Sequence, residues 1–206
     1  METIETLAAR VRGVEHGFMP MKVEAQGVVR EYPAGESLQI ARGLLGSPEH
    51  QARTVGTFVL GMLASGSDEA LALMKEEVSS DPDWRVQEIL AQAFDIYCAD
   101  RGYEASLPTI REWLADGRAN VRRAVTEGLR IWTSRPYFKE HPEVAVRMLG
   151  ALHADESEYV RKSVGNALRD ISRKHPAPVA REVQTWDLGD KKVRQTYKLA
   201  AKLLDT

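Results

Sequence analysis

SEYVRKSVGNALRDISRKHP, residues 157–176, is the stretch whose reading decides the fold. Asp155, Glu156, Ser157 and Glu158 offer N-cap candidates and put negative charge in a first helical turn. Arg173, Lys174 and His175 suit a helix C-terminus, and Pro176 stops the helix. Between these ends Val160, Val164, Ala167, Leu168 and Ile171 recur at helical spacing and define a buried stripe. Arg161, Lys162, Asn166, Arg169 and Asp170 fill other positions.

Working outward, the same pattern returns. Aligning Ala52-Arg53, Val86-Gln87, Val121-Arg122, Val160-Arg161 and Val193-Arg194 gives anchors at 52, 86, 121, 160 and 193, at intervals of 34, 35, 39 and 33 residues. This is the period of stacked helix pairs, in which no repeat buries its apolar face alone. The expected fold is all-α, an α-α superhelix (solenoid) of HEAT-like helix-pair repeats with a concave face. One repeat domain is expected over 1–206, with a helical cap over 1–45 and repeats over 46–206.

Helices are expected over Glu2–Val14, Met21–Arg30, Ser37–Leu45 and from the Ser47-Pro48-Glu49 start to Met62. Further helices follow over Asp68–Val78, Asp83–Cys98, Pro108–Ala115, Asn120–Trp132 and Pro142–Leu152. The Ser157 helix comes next, then Pro178–Thr185 and Gly189–Leu204. Short links between them favour antiparallel hairpins.

Composition removes several function classes. No apolar run approaches a membrane span, and METIETLAAR lacks a signal-peptide apolar region, so a cytoplasmic location is expected. The single cysteine, Cys98, excludes an intrachain disulfide and a cysteine-rich zinc site and reads as a buried apolar residue. Five scattered histidines show no metal spacing, and no phosphate-binding glycine loop occurs, so no metal, cofactor or nucleotide is expected. The net charge of −2 hides a division: residues 118–206 carry 18 Lys and Arg against 11 Asp and Glu, and residues 1–117 carry 10 against 19. A basic half suits a polyanion.

Taking 100° per residue from each anchor, the arc at about 180–280° gathers the polar side chains of each repeat. It holds Arg85, Glu88 and Gln92, then Arg123, Glu127 and Arg130, then Lys162, Asn166, Arg169 and Asp170. Cations in such a stripe suit a phosphate backbone. Carboxylates there weaken such binding unless they serve chemistry or pair with a neighbouring arginine, as Glu127 can with Arg123 or Arg130.

VRRAVTEGLR (121–130) and DESEYVRKSVGNALRDISRKHP (155–176) resemble the DNA alkylation repair family, the AlkC/AlkD-like HEAT-like-repeat DNA glycosylases. The likeness is greatest to the AlkC-like branch, through Thr126-Glu127-Gly128-Leu129-Arg130 and the stretch from Asp155 to Ile171, and it covers residues 80–176 well. It implies removal of N3- or N7-methylated purines from double-stranded DNA by cleavage of the N-glycosidic bond. Carboxylates would steady positive charge on the sugar and place a water. By motif position Asp170 and Glu127, with Glu88 as a weaker third, are the implied catalytic residues. Trp84 lies four residues before Glu88 on the same helix face and is expected to be an aromatic wall, with Trp132 as another. Arg85, Arg122, Arg123, Arg130, Arg135, Arg161, Lys162, Asn166, Arg169 and Lys174 complete the expected DNA contacts. Departures from the family pattern fall at Asn166 and Arg169. Two other readings stand beside this one: a noncatalytic relative binding damaged or branched DNA, and a protein-binding scaffold. A monomer is expected.

Overall fold

The computed structural model describes residues 4–204. Among these residues the chain is helical without strands, as expected. The thirteen α-helices are α1 (Ile4–Val11), α2 (Met19–Glu31), α3 (Ala34–Leu45), α4 (His50–Leu63), α5 (Asp68–Glu76), α6 (Trp84–Arg101), α7 (Leu107–Leu114), α8 (Ala119–Gly128), α9 (Pro136–Glu140), α10 (Pro142–Gly150), α11 (Glu158–Ser172), α12 (Pro176–Val183) and α13 (Lys191–Ala200). The first residues of the helix expected from Glu2 lie outside the described residues. None of the helices described is long and apolar enough to cross a membrane.

The chain forms two compact units, residues 1–101 and 102–206. In the first, α4 packs against α2, α3 and α6. In the second, α11 is the central element and packs against α8 and α13. The helices that carry the anchors therefore lie side by side within each unit. Ala52, Val86, Val121 and Val160 are fully buried and Val193 nearly so. In α11 Val160, Val164, Ala167, Leu168 and Ile171 are all buried. Burial of each larger member stabilises the fold by about 2 kcal/mol.

Two glycines set the closest helix approaches. A Cβ on Gly61 of α4 would lie 2.7 Å from the Ala93 Cα of α6. A Cβ on Gly165 of α11 would lie 2.6 Å from the Leu199 Cβ of α13. At both crossings only glycine lets the two backbones meet.

The residue after each anchor ties the repeats together. Arg53 donates from Nη1 to the Ser47 and Pro48 carbonyls, both at 3.0 Å, and from Nε to Asp81 at 2.7 Å. Arg122 donates to the Asp116 carbonyl at 2.7 Å and to both oxygens of Asp155 at 2.7 and 2.8 Å. Arg161, itself buried, reaches the Asp155 and Glu156 carbonyls at 2.6 and 2.9 Å and Gln195 at 2.9 and 2.7 Å. Arg194 caps the Leu188 and Gly189 carbonyls, and Gln87 caps that of Asp81. Each side chain thus satisfies carbonyls of its own preceding loop. Arg53, Arg122 and Arg161 also grip an oxygen acceptor of the next repeat.

Several helix ends depart from expectation. The helix expected from Pro48 starts at His50, because the Ser47 hydroxyl accepts the Glu49 N–H and forms a local turn instead. Pro176 opens α12 rather than only closing α11. The helix expected to reach Trp132 stops at Gly128, and Ile131 adopts φ 53°, ψ 54°. A short 3-10 turn follows over Trp132–Ser134. The cause is nonlocal: the Trp132 ring is fully buried edge-on to Phe138 at 4.9 Å, which requires the chain to turn inward.

The Arg122–Asp155 pair is almost fully shielded, with side-chain exposures of 12% and 4%, whereas Lys162 and Glu158 are 52% and 55% exposed. Arg122→Ala is expected to lower the unfolding free energy by about 3 kcal/mol, because it strands a buried carboxylate. Lys162→Ala is expected to cost less than about 1 kcal/mol. Urea unfolding of both variants checks the contrast; equal losses would mean that the tie carries no special weight.

Candidate nucleic-acid interface

The expected site residues fall into three groups. The first is a cleft of about 570 Å³ in the N-terminal unit. The loop after α1 supplies Glu15, His16, Gly17 and Phe18; α4 supplies His50 and Thr54; α6 supplies Trp84, Arg85, Glu88, Ile89 and Gln92. Gly17 takes φ 77°, a left-handed turn open to glycine at little cost. The spacing of four on α6 sets Trp84 and Glu88 one turn apart. The Trp84 indole is 67% exposed at the cleft, while Met21 and Ile89 give it buried apolar lining.

Electrostatics separate the charges of this cleft. Arg85 is chelated by Asp83, Nε to Oδ1 at 2.9 Å and Nη2 to Oδ2 at 2.7 Å. That contact holds the Asp83 carboxyl down at about 2. Burial, and then the charge of Arg85, push the His50 imidazole below its ordinary value, so it is neutral at neutral pH. The cleft therefore presents an aromatic face, the carboxylates of Glu15 and Glu88, an uncharged imidazole and the Gln92 amide.

The second group lies in the C-terminal unit. Asp170 Oδ2 accepts from Arg130 Nε at 3.2 Å, and its Oδ1 accepts from Arg169 Nη2 at 3.2 Å, with Arg173 at 4.0 Å. Arg130 also lies 3.6 Å from Glu127. Two expected catalytic carboxylates thus share one arginine, and both Asp170 oxygens are already engaged. Asp170, Arg173 and Lys174 line a cavity of about 320 Å³ with Ile131, Thr133 and Ser134.

The third group is a cationic groove of about 800 Å³, lined by Lys162, Lys191, Lys192, Arg194 and Lys198 with Glu158 and Gln195. Of these cations only Lys162 was expected from its position on the arc. The signal for Lys191, Lys192 and Arg194 was the run Lys191-Lys192-Val193-Arg194 at the start of α13.

Other expected contacts need correction or a new place. Trp132 is a core residue with no face toward solvent. Arg122 and Arg161 are consumed by the ties between repeats, and Arg135 braces the chain break through the Gly128 carbonyl and the Ser134 hydroxyl. Trp186 is buried and stacks on His153 at 4.7 Å. Arg123 and Asn166 are half-buried on α8 and α11. His16 and His50, scattered in the sequence, meet in one cleft.

Residues 21–203 match the family of the DNA alkylation repair enzyme. The chain belongs to that family. AlkD2 from Streptococcus mutans is 45% identical over 98% of each chain, with a TM-score of 0.95. The smu.31 protein from Streptococcus mutans UA159 is 43% identical, with a TM-score of 0.93 over 98% of this chain and all of that one. Pseudomonas fluorescens AlkC, an alkylpurine DNA glycosylase bound to DNA containing an abasic site analog, is 19% identical with a TM-score of 0.56 over 97% of this chain and 61% of its own, a likeness of fold. The uncharacterized protein YhaZ of Bacillus subtilis (strain 168) is 37% identical over 87 residues, 40% of this chain and 24% of that relative. The sequence motifs pointed to the AlkC-like branch; over its full length this chain is also similar to AlkD2 and to smu.31.

The Asp83 carboxyl is lowered on folding from an ordinary 3.8 to about 2, so the stability it contributes is present above about pH 4 and lost as pH falls toward 2. Asp83→Asn is expected to flatten that part of the acid dependence of the melting temperature. An unchanged acid limb between pH 4.5 and pH 2.5 would remove the Asp83–Arg85 chelate as its cause.

Proposed function

We propose that this protein binds double-stranded DNA carrying N3- or N7-alkylated purines and hydrolyses their N-glycosidic bond, with Trp84 and Glu88 at the reaction centre. The observation that carries the reading is the cleft that sets an exposed indole one helical turn from a carboxylate. An alkylated purine is a planar cation. An indole face attracts it, and a carboxylate beside the sugar opposes the positive charge that grows there as the bond breaks. The departing ring takes the bonding electron pair and loses its own charge, so it needs little acid assistance. A water then adds to the sugar carbon, and its proton passes to an adjacent base. The neutral His50 imidazole can accept such a proton.

Asp170 and Glu127 take a different part in this reading. A carboxylate already bound by Arg130 and Arg169 is a weak source of field for a sugar cation, but it is well suited to orienting guanidinium groups. Arg130, Arg169, Arg173 and Lys174 would hold phosphates, together with Lys162 and the lysines of the third group. The family match and the AlkC likeness support DNA as the partner.

Two experiments test this. Methylated base released from methylated duplex DNA is expected with wild type and is expected to fall by about 100-fold in Glu88→Gln. Retained release in that variant, with loss in Asp170→Asn, would move the centre to α11. No release by wild type, with DNA still bound, would make the protein a lesion-binding relative without excision. Separately, Lys162→Ala with Arg169→Ala is expected to weaken DNA binding and to reduce the salt slope by about 2, one for each phosphate contact removed. An unchanged slope would place the backbone grip elsewhere.

A further inference from the structure

Ile131 combines three features that rarely meet in one residue. Its backbone is left-handed, φ 53° and ψ 54°, and among the described residues no other residue besides glycine has a positive φ. A β-branched side chain is the worst occupant of that conformation, because its Cβ substituents crowd the neighbouring peptide groups. The side chain is also 52% exposed, so burial offsets the strain only in part. Its surroundings carry more positive than negative charge: it lines the 320 Å³ cavity with Arg173, Lys174 and the Asp170 carboxylate, and Arg130, which precedes it, binds that carboxylate.

The local structure holds the residue in place. The Ser134 hydroxyl donates to the Ile131 carbonyl at 2.7 Å, and the Ser134 N–H donates to the same oxygen at 2.8 Å. Arg135 reaches back to the Gly128 carbonyl, and Trp132 anchors the turn in the core. Glycine or asparagine would take this turn at lower cost. The fold instead holds an apolar, branched tip half out to solvent on a hydrogen-bonded turn, beside Arg173 and Lys174.

We propose that Ile131 is a wedge that enters the base stack of duplex DNA while Arg130, Arg173 and Lys174 hold flanking phosphates. This rests on the reading of DNA as the partner, and it adds a residue that distorts the duplex rather than one that cleaves it. A branched aliphatic side chain can part a base step because it fills the gap without offering a polar group to either base. Positive charge beside it recovers part of the unstacking cost through phosphate contacts. A protein surface as partner would have no need of the cationic border and would show no effect on base stacking.

The test uses the intact protein and a set of duplexes with 2-aminopurine at successive positions flanking one N7-methylguanine. Wild type is expected to raise 2-aminopurine fluorescence several-fold at one step. Ile131→Gly is expected to abolish the rise while the salt slope of DNA binding stays unchanged. The same variant is expected to raise the melting temperature by about 3 °C through relief of the left-handed strain. Gain of stability with loss of distortion is a signature that a merely structural residue cannot give. A lower melting temperature in Ile131→Gly, or fluorescence that still rises with it, overturns the proposal. Ile131→Leu is expected to keep the fluorescence rise, and its loss there would also count against a wedge. If wild type binds DNA without any rise, the wedge fails alone; if it binds no DNA, the reading beneath it fails as well.

Discussion

A guanidinium placed one residue after a buried anchor is the constraint on which the repeats depend. It solves a problem that every helix-pair array has. The loop before each anchor helix leaves carbonyls without ladder partners, and those carbonyls lie against the next repeat. Arg53, Arg122, Arg161 and Arg194 each reach back five or six residues to satisfy them. Arg53 and Arg122 also bind a loop carboxylate of the following repeat, and Arg161 binds an amide there. A shielded ion pair adds little net stability, because desolvation takes back most of the attraction, but a misaligned one is costly. The tie therefore selects the register of neighbouring repeats more than it strengthens them.

This use of arginine changes what the charge of the chain means. The surplus of cations after residue 117 includes Arg122, Arg161 and Arg194, whose hydrogen bonds are spent on loop carbonyls and side chains. Lys162 is paired as well, with Glu158 at 2.7 Å, yet both partners are about half exposed. Solvent screening makes such a pair weak, so a phosphate can compete for the ammonium group. Formal charge counts both kinds of cation equally; burial and partner separate a scaffold arginine from a lysine open to a ligand.

The same distinction explains how much was legible in the sequence. The anchors, the stripe on α11 and the repeat period were readable because they depend on local spacing. The end of α8 was not: nothing near Gly128 says that Trp132 will bury its ring against Phe138. That contact turned an expected groove wall into core and set Ile131 in its unusual conformation. Of the cleft, Trp84 and Glu88 were readable as neighbours one turn apart. Glu15, His16, Phe18 and His50 were not, since they come from segments whose meeting depends on how α4 packs against α2 and α6.

Charge pairing also separates the two candidate sites. Asp170 and Arg85 are both spoken for, in opposite senses. Asp170 is surrounded by guanidinium groups, so its negative charge is cancelled where it stands. Arg85 is chelated through two nitrogens by Asp83, so the positive charge nearest the cleft is the one cancelled there. The cleft carries the Glu15 and Glu88 carboxylates beside an arginine that is already chelated and an imidazole whose charged form burial disfavours. A planar cation is attracted by such a cleft and repelled by the cationic groove on α11 and α13, whereas a phosphate backbone has the opposite preference. A lesion in DNA carries both groups at once. In the proposed reading the chain answers each with a surface of opposite charge.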